Sequence, residues 1–199
     1  MGIIVVMELP GATPADYDRV NEVMGIHGDD NAPEGLISHI AGVTDDGMLI
    51  VDVWDSEESF DRFFADERVG KAIEETGVQP REPRLVPVHN MIEEGAGTDV
   101  GILMMFESDE LGPSDYDRMV ADLNAHQDGG RNHPAVSHVA GRTDGGGILV
   151  VDVWESAESW GQFAEAEIAP RAQAAGLGPI EPTLIPVHNR IRGTGGDGS

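Results

Sequence analysis

The 199-residue sequence contains no cysteine and a single lysine, Lys71. The missing cysteine excludes disulfides, thiolate nucleophiles and cysteine-ligated zinc or iron–sulfur sites. Lysine and arginine total 12 against 37 aspartate and glutamate residues, so the formal net charge is −25. Because a chain this acidic repels phosphate backbones and anionic lipid headgroups, we expect neither a nucleic-acid nor a membrane partner.

Long apolar runs and nucleotide-binding motifs are also missing. The apolar run over residues 3–7 is too short for a signal-peptide core, and no run approaches the roughly 18 residues of a membrane span. We therefore expect a cytoplasmic protein. No Gly-x-Gly-x-x-Gly motif joins a strand to a helix, and no Gly-Lys-Ser/Thr phosphate loop or Gly-x-Ser-x-Gly elbow occurs, so we predict no cofactor.

The sequence contains the same pattern of motifs twice. Three motifs recur: Asp-Tyr-Asp-Arg at 16–19 and 115–118, Val-Asp-Val-Trp at 51–54 and 151–154, and Pro-Val-His-Asn at 87–90 and 186–189. The offset is 99 residues, becomes 100 after an extra glycine in the second copy, and then returns to 99. A tandem duplication accounts for this spacing.

The composition between and after the copies predicts the domain boundaries. Residues 93–99 are polar and glycine-rich, as in a linker, and residues 193–199 contain four glycines and no apolar residue. We therefore predict a first repeat over residues 1–92, a linker over 93–99, a second repeat over 100–192 and a disordered tail over 193–199.

Each repeat has the pattern β-α-β-β-α-β. The predicted strands cover residues 3–8, 36–43, 48–54 and 85–89 in the first repeat, and 101–107, 135–142, 147–154 and 183–188 in the second. Thr13, Pro14 and Ser56 are typical of helix starts, and Gly77 of a helix end. This order is that of the ferredoxin-like split βαβ unit.

A four-stranded sheet with helices on one face leaves its other face bare. We therefore predict an α+β fold in which two tandem ferredoxin-like repeats cover each other's bare faces and form a single-chain pseudo-dimer with a shared, barrel-like interior. Whether this pseudo-dimer pairs again into a homodimer stays open.

The first predicted hairpin places a histidine opposite an aspartate. With a loop over residues 44–47, His39 faces Asp52 and Ile37 faces Trp54. The alternate residues of both strands are aliphatic, which suits packing under helices. We therefore expect His39, Asp52 and Trp54 on the face away from the helices or at a pocket edge.

The second predicted hairpin repeats this pair. With a loop over residues 143–147, His138 faces Asp152 despite the extra glycine. A carboxylate beside an imidazole fixes its tautomer and raises its basicity, which suits a general base. We therefore predict His39, Asp52, His138 and Asp152 as catalytic residues. The alternative is a buried ion pair or hydrogen bond that specifies the interface between the sheets.

Four further residues are candidate substrate contacts. Trp54 and Trp154 each end a strand just before a helix cap, where core packing is the alternative role. His89 and His188 end the last strands, where a side chain lines a pocket mouth or, alternatively, is capped or solvated.

The remaining histidines are not predicted to belong to a functional or metal site. His27, His126 and His133 do not recur at matching positions, and we expect them on the surface. No His-x-x-x-His spacing occurs among the histidines, so we predict no metal site.

One stretch of each repeat resembles a known protein family. A strand-ending Asp-Val-Trp is followed by Asp/Glu-Ser-x-Glu-Ser-Phe/Trp and by a phenylalanine three residues on. This pattern resembles the antibiotic biosynthesis monooxygenase-like group of the dimeric alpha-beta barrel superfamily. The Pro-Val-His-Asn motif is similar to that of small uncharacterised bacterial members. The resemblance covers nearly all of both repeats and implies a barrel of two ferredoxin-like units.

The resemblance also implies an activity. Members of the group include cofactor-free oxygenases of polycyclic aromatic phenols or anthrones, in which the protein deprotonates the substrate and the anion reacts with dioxygen. The His–Asp pairs would then supply the base, and Trp54 or Trp154 would form a pocket wall. Relatives that degrade haem have a histidine where this chain has Phe64 and Ala164, so haem is not expected. A non-catalytic small-ligand-binding or interaction protein is the alternative function.

Overall fold

A computed structural model describes residues 1–93, 95, 99–123 and 133–193 of the chain. Most of the predicted linker, the predicted tail after Gly193 and His126 lie outside the described residues. The predicted repeat boundaries therefore stay predictions. Every described helix is too short or too polar to span a lipid bilayer.

The predicted order β-α-β-β-α-β is present in both repeats. The first repeat contains β1 (Ile3–Pro10), α1 (Pro14–Met24), β2 (Leu36–Thr44), β3 (Gly47–Trp54), α2 (Glu57–Phe64), α3 (Glu67–Thr76) and β4 (Arg84–Ile92). The second contains β5 (Ile102–Ser108), α4 (Pro113–Asp122), β6 (Ser137–Arg142), β7 (Ile148–Trp154), α5 (Ala157–Phe163), a π-helical turn (Ala164–Ile168), α6 (Ala169–Ala174) and β8 (Thr183–Arg192). All eight predicted strands are therefore confirmed.

The helices begin at the cap residues that the sequence predicted. The Thr13 hydroxyl accepts a hydrogen bond from the Asp16 N–H, and the Ser56 hydroxyl accepts one from the Ser59 N–H, each at 3.2 Å. An N-cap of this kind stabilises a helix by about 1 kcal/mol. The two caps fix where α1 and α2 begin, and so they place Tyr17 one helical turn into α1.

The contacts of the chain divide it into two compact units. Unit 1 comprises Met1–Leu85 and the chain from Val187 on, and unit 2 comprises Val86–Pro186. Strand β4 therefore ends in unit 2, and β8 ends in unit 1. As a result, each unit contains the Pro-Val-His-Asn histidine and asparagine that belong to the sequence of the other repeat.

The antiparallel sheet of unit 1 has the strand order β1-β3-β2-β8. His39 pairs with Asp52, which confirms the predicted register at this point. Leu36, and not Ile37, faces Trp54, because the register shifts between Leu36 and Ser38. The prediction for Ile37 was wrong because counting outward from a loop cannot show a β-bulge, which adds one residue to one strand only.

The sheet of unit 2 has the order β8-β5-β7-β6-β4, also antiparallel. His138 pairs with Asp152, as predicted. The extra glycine of this repeat lies in the turn before β7, where Gly146 has a φ of 83°. This left-handed conformation is open to glycine without steric cost. The insertion therefore leaves the register of the histidine and aspartate unchanged.

Aromatic clusters pack between the sheet and the helices of each unit. The Trp54 ring lies 5.9 Å from that of Phe60 and 5.3 Å from that of Phe63. In unit 2 the Trp154 ring lies 5.5 Å from Trp160 and 5.2 Å from Phe163. The tryptophan that ends each third strand thus joins the sheet to the helix that follows it.

Candidate functional site

The His39–Asp52 pair lies on the face of the sheet that the helices cover. Together with Trp54 it lines a cavity whose other walls come from α1, α2 and α3. Of the two predicted placements, the face away from the helices was therefore wrong, whereas a position at the edge of a pocket agrees with the structure. Ile40 and Val51, on the other face, are only 3% and 2% exposed. Because both faces of this sheet are buried, apolar alternation could not tell which face the helices cover.

A chain of hydrogen bonds joins an aspartate, a histidine and a tyrosine in unit 1. His39 Nδ1 lies 2.7 Å from Asp52 Oδ1, and His39 Nε2 lies 2.6 Å from the Tyr17 hydroxyl. Trp54 Nε1 donates to the second oxygen of Asp52 at 3.4 Å. An ionised carboxylate can only accept, so Nδ1 carries the proton of the neutral imidazole. Nε2 then accepts the hydrogen bond that the tyrosine donates.

Unit 2 repeats the same chain of hydrogen bonds. His138 Nδ1 lies 2.6 Å from Asp152 Oδ1, and His138 Nε2 lies 2.5 Å from the Tyr116 hydroxyl. Trp154 Nε1 donates to Asp152 Oδ2 at 3.3 Å. The four predicted catalytic residues therefore form two separate pairs, each extended by a tyrosine.

An asparagine completes each network. Asn189 Nδ2 donates to the Tyr17 hydroxyl at 2.9 Å, and Asn90 Nδ2 donates to the Tyr116 hydroxyl at 2.7 Å. These tyrosines and asparagines were not predicted as site residues. The available signal was their recurrence in the Asp-Tyr-Asp-Arg and Pro-Val-His-Asn motifs, which the structure brings together in both units.

His188 and His89, predicted as substrate contacts, flank the tyrosines. His188 Nε2 lies 2.7 Å from Asp18 Oδ1, and His89 Nε2 lies 2.6 Å from Asp117 Oδ1. Each ring packs edge-on against the tyrosine of its unit, at centroid distances of 5.6 and 5.7 Å. Neither histidine is among the residues that line the two cavities. Their role as substrate contacts stays a prediction.

The cavity of unit 1 has a volume of about 100 Å³ and is almost entirely apolar. Its aromatic wall consists of Trp54, Phe60, Phe63 and Phe64. Its polar lining residues are Tyr17, Asn21, His39 and Asp52. An apolar lining with a few convergent polar groups is typical of a small-molecule site, whereas the volume is below the roughly 300–1,000 Å³ usual for such sites.

The cavity of unit 2 has a volume of about 70 Å³ and contains a histidine that the sequence analysis placed on the surface. His133 is only 6% exposed, and its ring lies 5.2 Å from that of His138. The surface prediction was wrong because a single histidine in a glycine-rich, polar stretch has no periodicity that would reveal burial. Trp154 packs beside His133 but is not among the residues that line this cavity.

Burial makes both site tyrosines harder to ionise than an exposed tyrosine. It raises the pKa of Tyr17 to about 12, while hydrogen bonds to Asn189 and Asn21 oppose this shift. Burial raises the pKa of Tyr116 as well, against a lowering contribution from Asn90. Each hydroxyl is therefore a hydrogen-bond donor to its imidazole at neutral pH.

The structure brings no cluster of metal ligands together in the ranges it describes. Among those residues, no three histidine, aspartate or glutamate side chains converge as a metal site would require.

Replacing Asp52 by asparagine is expected to lower the free energy of unfolding by about 1–3 kcal/mol. The carboxylate accepts from both the His39 ring and the Trp54 ring, whereas an amide offers one acceptor oxygen and turns its NH₂ group toward a donor. Urea denaturation measures the change. The matched control Asp45→Asn, in the exposed turn between β2 and β3, should change stability by no more than about 0.5 kcal/mol. Equal effects of the two substitutions would contradict this account of Asp52.

Comparison with solved structures identifies the fold of the chain. No model of a protein family matches the chain, and no curated protein matches it. A "putative monooxygenase" from Lactobacillus acidophilus superposes with a TM-score of 0.66 at 11% identity, over 96% of each chain. A monooxygenase-like protein from Listeria innocua gives 0.54 at 11% identity, over 94% of each chain.

Two further solved structures extend this likeness. An anthrone oxidase-like protein superposes with a TM-score of 0.52 at 20% identity, over 98% of this chain and 94% of its own. A chlorite dismutase variant from Candidatus Nitrospira defluvii gives 0.53 at 6% identity, over 94% of this chain and 90% of its own. The α+β, ferredoxin-like fold that the sequence predicted is thus confirmed, and these neighbours share it.

Proposed function

We propose that the protein is a cofactor-independent, monooxygenase-like enzyme that acts on a small aromatic substrate of the phenol or anthrone type. The observation that carries this proposal is the Asp–His–Tyr chain of hydrogen bonds at the wall of an apolar cavity. The fold likeness to monooxygenase-like and anthrone oxidase-like proteins supports it. Fold alone would not, because one fold hosts many activities.

The first step is removal of a proton from the bound aromatic. In unit 1 the Tyr17 hydroxyl gives its own proton to His39 Nε2 and takes the proton of the substrate. The imidazolium that forms is stabilised by Asp52, 2.7 Å from Nδ1. Because the cavity is apolar, the attraction between this cation and its carboxylate is stronger than it would be in water. The aspartate thus favours the charge that the reaction creates.

The second step needs no external reductant. The electron pair left on the substrate carbon forms a C–O bond to dioxygen, and the proton held at His39 goes to the resulting peroxide. For an anthrone-type methylene, the O–O bond then breaks with loss of water and a carbonyl remains. The substrate is oxidised, one oxygen atom enters the product and the other leaves as water. The walls around Trp54 serve to hold the flat ring and to exclude water.

The alternative function is non-catalytic binding of a small ligand, and one observation favours it. Both ring nitrogens of His39 and the hydroxyl of Tyr17 already have hydrogen-bond partners within the protein. A network whose members are all paired also suits a structural role that rigidifies a binding site.

Oxygen uptake in the presence of an anthrone separates the two functions. The full chain, incubated with a chelator and without flavin or haem, is expected to consume one dioxygen per anthrone oxidised. With ¹⁸O₂, one labelled atom should appear in the product carbonyl. Binding of the anthrone without oxygen uptake above the buffer rate would contradict the enzymatic proposal and favour the alternative.

A further inference from the structure

The two cavities differ in ways that decide which of them takes a ligand. We infer that the cavity of unit 1 binds the aromatic ligand and that the His133 side chain closes the equivalent cavity of unit 2 to it. The inference rests on the proposed function only for the chemical class of the ligand.

The His133 ring lines the second cavity and is buried there among aromatic side chains. Its centroid lies 5.2 Å from the ring of His138, 5.8 Å from that of Phe163 and 6.2 Å from that of Trp154. Its Nδ1 accepts a hydrogen bond from the Ala135 N–H at 3.3 Å, which holds the ring inward. An aromatic ligand stacked against the same groups would occupy the place of this imidazole.

The first repeat has no counterpart to this ring. With the Ser-His pairs of the two repeats aligned, Glu34 stands at the position of His133, and it is exposed. Leu36 stands at the position of Ala135, and both are buried beside the strand-end tryptophan of their own unit. The alanine lacks most of the leucine side chain, and this difference leaves room for the imidazole in unit 2 only.

The polar lining differs as well. Asn21 lines the first cavity and interacts with the Tyr17 hydroxyl, whereas the matching position of the second cavity is Val120. A ligand oxygen in unit 1 can therefore bond to an amide beside the tyrosine. In unit 2 the same position offers only an aliphatic surface, so both shape and polarity favour the first cavity.

Four methionines report on the two cavities separately in the unmodified protein. Met7 and Met24 line the first cavity, and Met104 and Met119 line the second. The chain with ¹³C-labelled methionine methyl groups would be titrated with 2-naphthol under argon and followed by NMR. Ring currents are expected to shift Met7 and Met24 saturably and to leave Met104 and Met119 unchanged. Met48, which lines neither cavity, serves as an internal control.

Opening the second cavity completes the test. In His133→Ala, and in His133→Ser should the alanine variant not fold, Met104 and Met119 are expected to shift on titration. Glu34→Ala, at the matched position, should leave the shifts of all four methyl groups as they are in the wild type.

Equal saturable shifts of all four methyl groups in the wild type would overturn the inference and leave the proposed function standing. If the methyl signals of Met104 and Met119 do not shift in either folded His133 variant, the role inferred for His133 is wrong. If none of the four methyl signals shifts in the wild type, both the inference and the proposed ligand class are wrong.

Discussion

The variant His39→Ala is expected to lose at least about 100-fold in the rate of aromatic oxidation, measured as oxygen uptake per chain. Proton transfer by a positioned side chain contributes roughly 10²–10⁴-fold to a rate, and His39 Nε2 is the group that receives the substrate proton through Tyr17. Because the second cavity is closed by His133, His138→Ala is expected to keep most of the activity.

Two controls distinguish a loss of catalysis in His39→Ala from a loss of folding stability. Alanine at position 39 removes the imidazole that hydrogen-bonds to both Asp52 and Tyr17, which costs about 1–3 kcal/mol. Rates should therefore be compared at a temperature where circular dichroism shows each variant folded. His27→Ala removes an exposed histidine and should leave the rate unchanged. A folded His39→Ala protein that keeps its rate within about two-fold of the wild type would show that this imidazole takes no part in the reaction.

Both tyrosines are expected to resist ionisation far above the usual range. The chain contains two tyrosines, and both belong to the sites, so the absorbance of tyrosinate reports on the sites alone. Burial raises the pKa of Tyr17 to about 12 and raises that of Tyr116 too. A spectroscopic titration of the folded protein should therefore show almost no tyrosinate near pH 10, where the same chain in denaturant is half ionised.

This shift makes the stability depend on pH in the alkaline range. Since folding raises the pKa of a phenol, the unfolded chain loses its proton first as the pH rises. The stabilising contribution of the protonated tyrosines is complete below about pH 10 and is lost as the pH rises toward about 12. For Tyr17 the shift from the usual pKa corresponds to about 3 kcal/mol, because one pKa unit equals about 1.4 kcal/mol.

Urea denaturation between pH 8 and pH 12 measures this loss. A double variant with Tyr17→Phe and Tyr116→Phe lacks both phenols and should lose less stability over the same range, because only the other titratable groups remain. Half ionisation of the tyrosines near pH 10 in the folded wild type would contradict the buried, hydrogen-bonded environment described for them.

Much of the fold could be predicted because the signals were local. Strands, caps and the hairpins of both repeats follow from short-range patterns, and the nearly constant offset between recurring motifs predicts a tandem duplication. The His39–Asp52 and His138–Asp152 pairs could be found by counting because a hairpin register depends on a few residues around its turn.

The rest of the site depends on contacts between distant parts of the chain. Tyr17 and Asn189 are 172 residues apart, and no local pattern indicates that they meet. The sequence pattern could not show on which face of the sheet His39 lies, because both faces are buried. The burial of His133 depends on the space left by alanine at position 135, where the first repeat has leucine. This is a difference in side-chain volume, and no sequence motif indicates it.

A phenol whose colour changes on ionisation tests most directly whether these sites accept a proton from a bound aromatic. Nitrophenol would be bound to the full chain in the absence of oxygen, at a pH below the phenol's own pKa, and the phenolate absorbance band recorded. We expect the wild type to show the phenolate band on binding, and His39→Ala to bind the phenol without it. Bound nitrophenol that stays protonated in the wild type, or a phenolate band that persists in His39→Ala, would contradict the account.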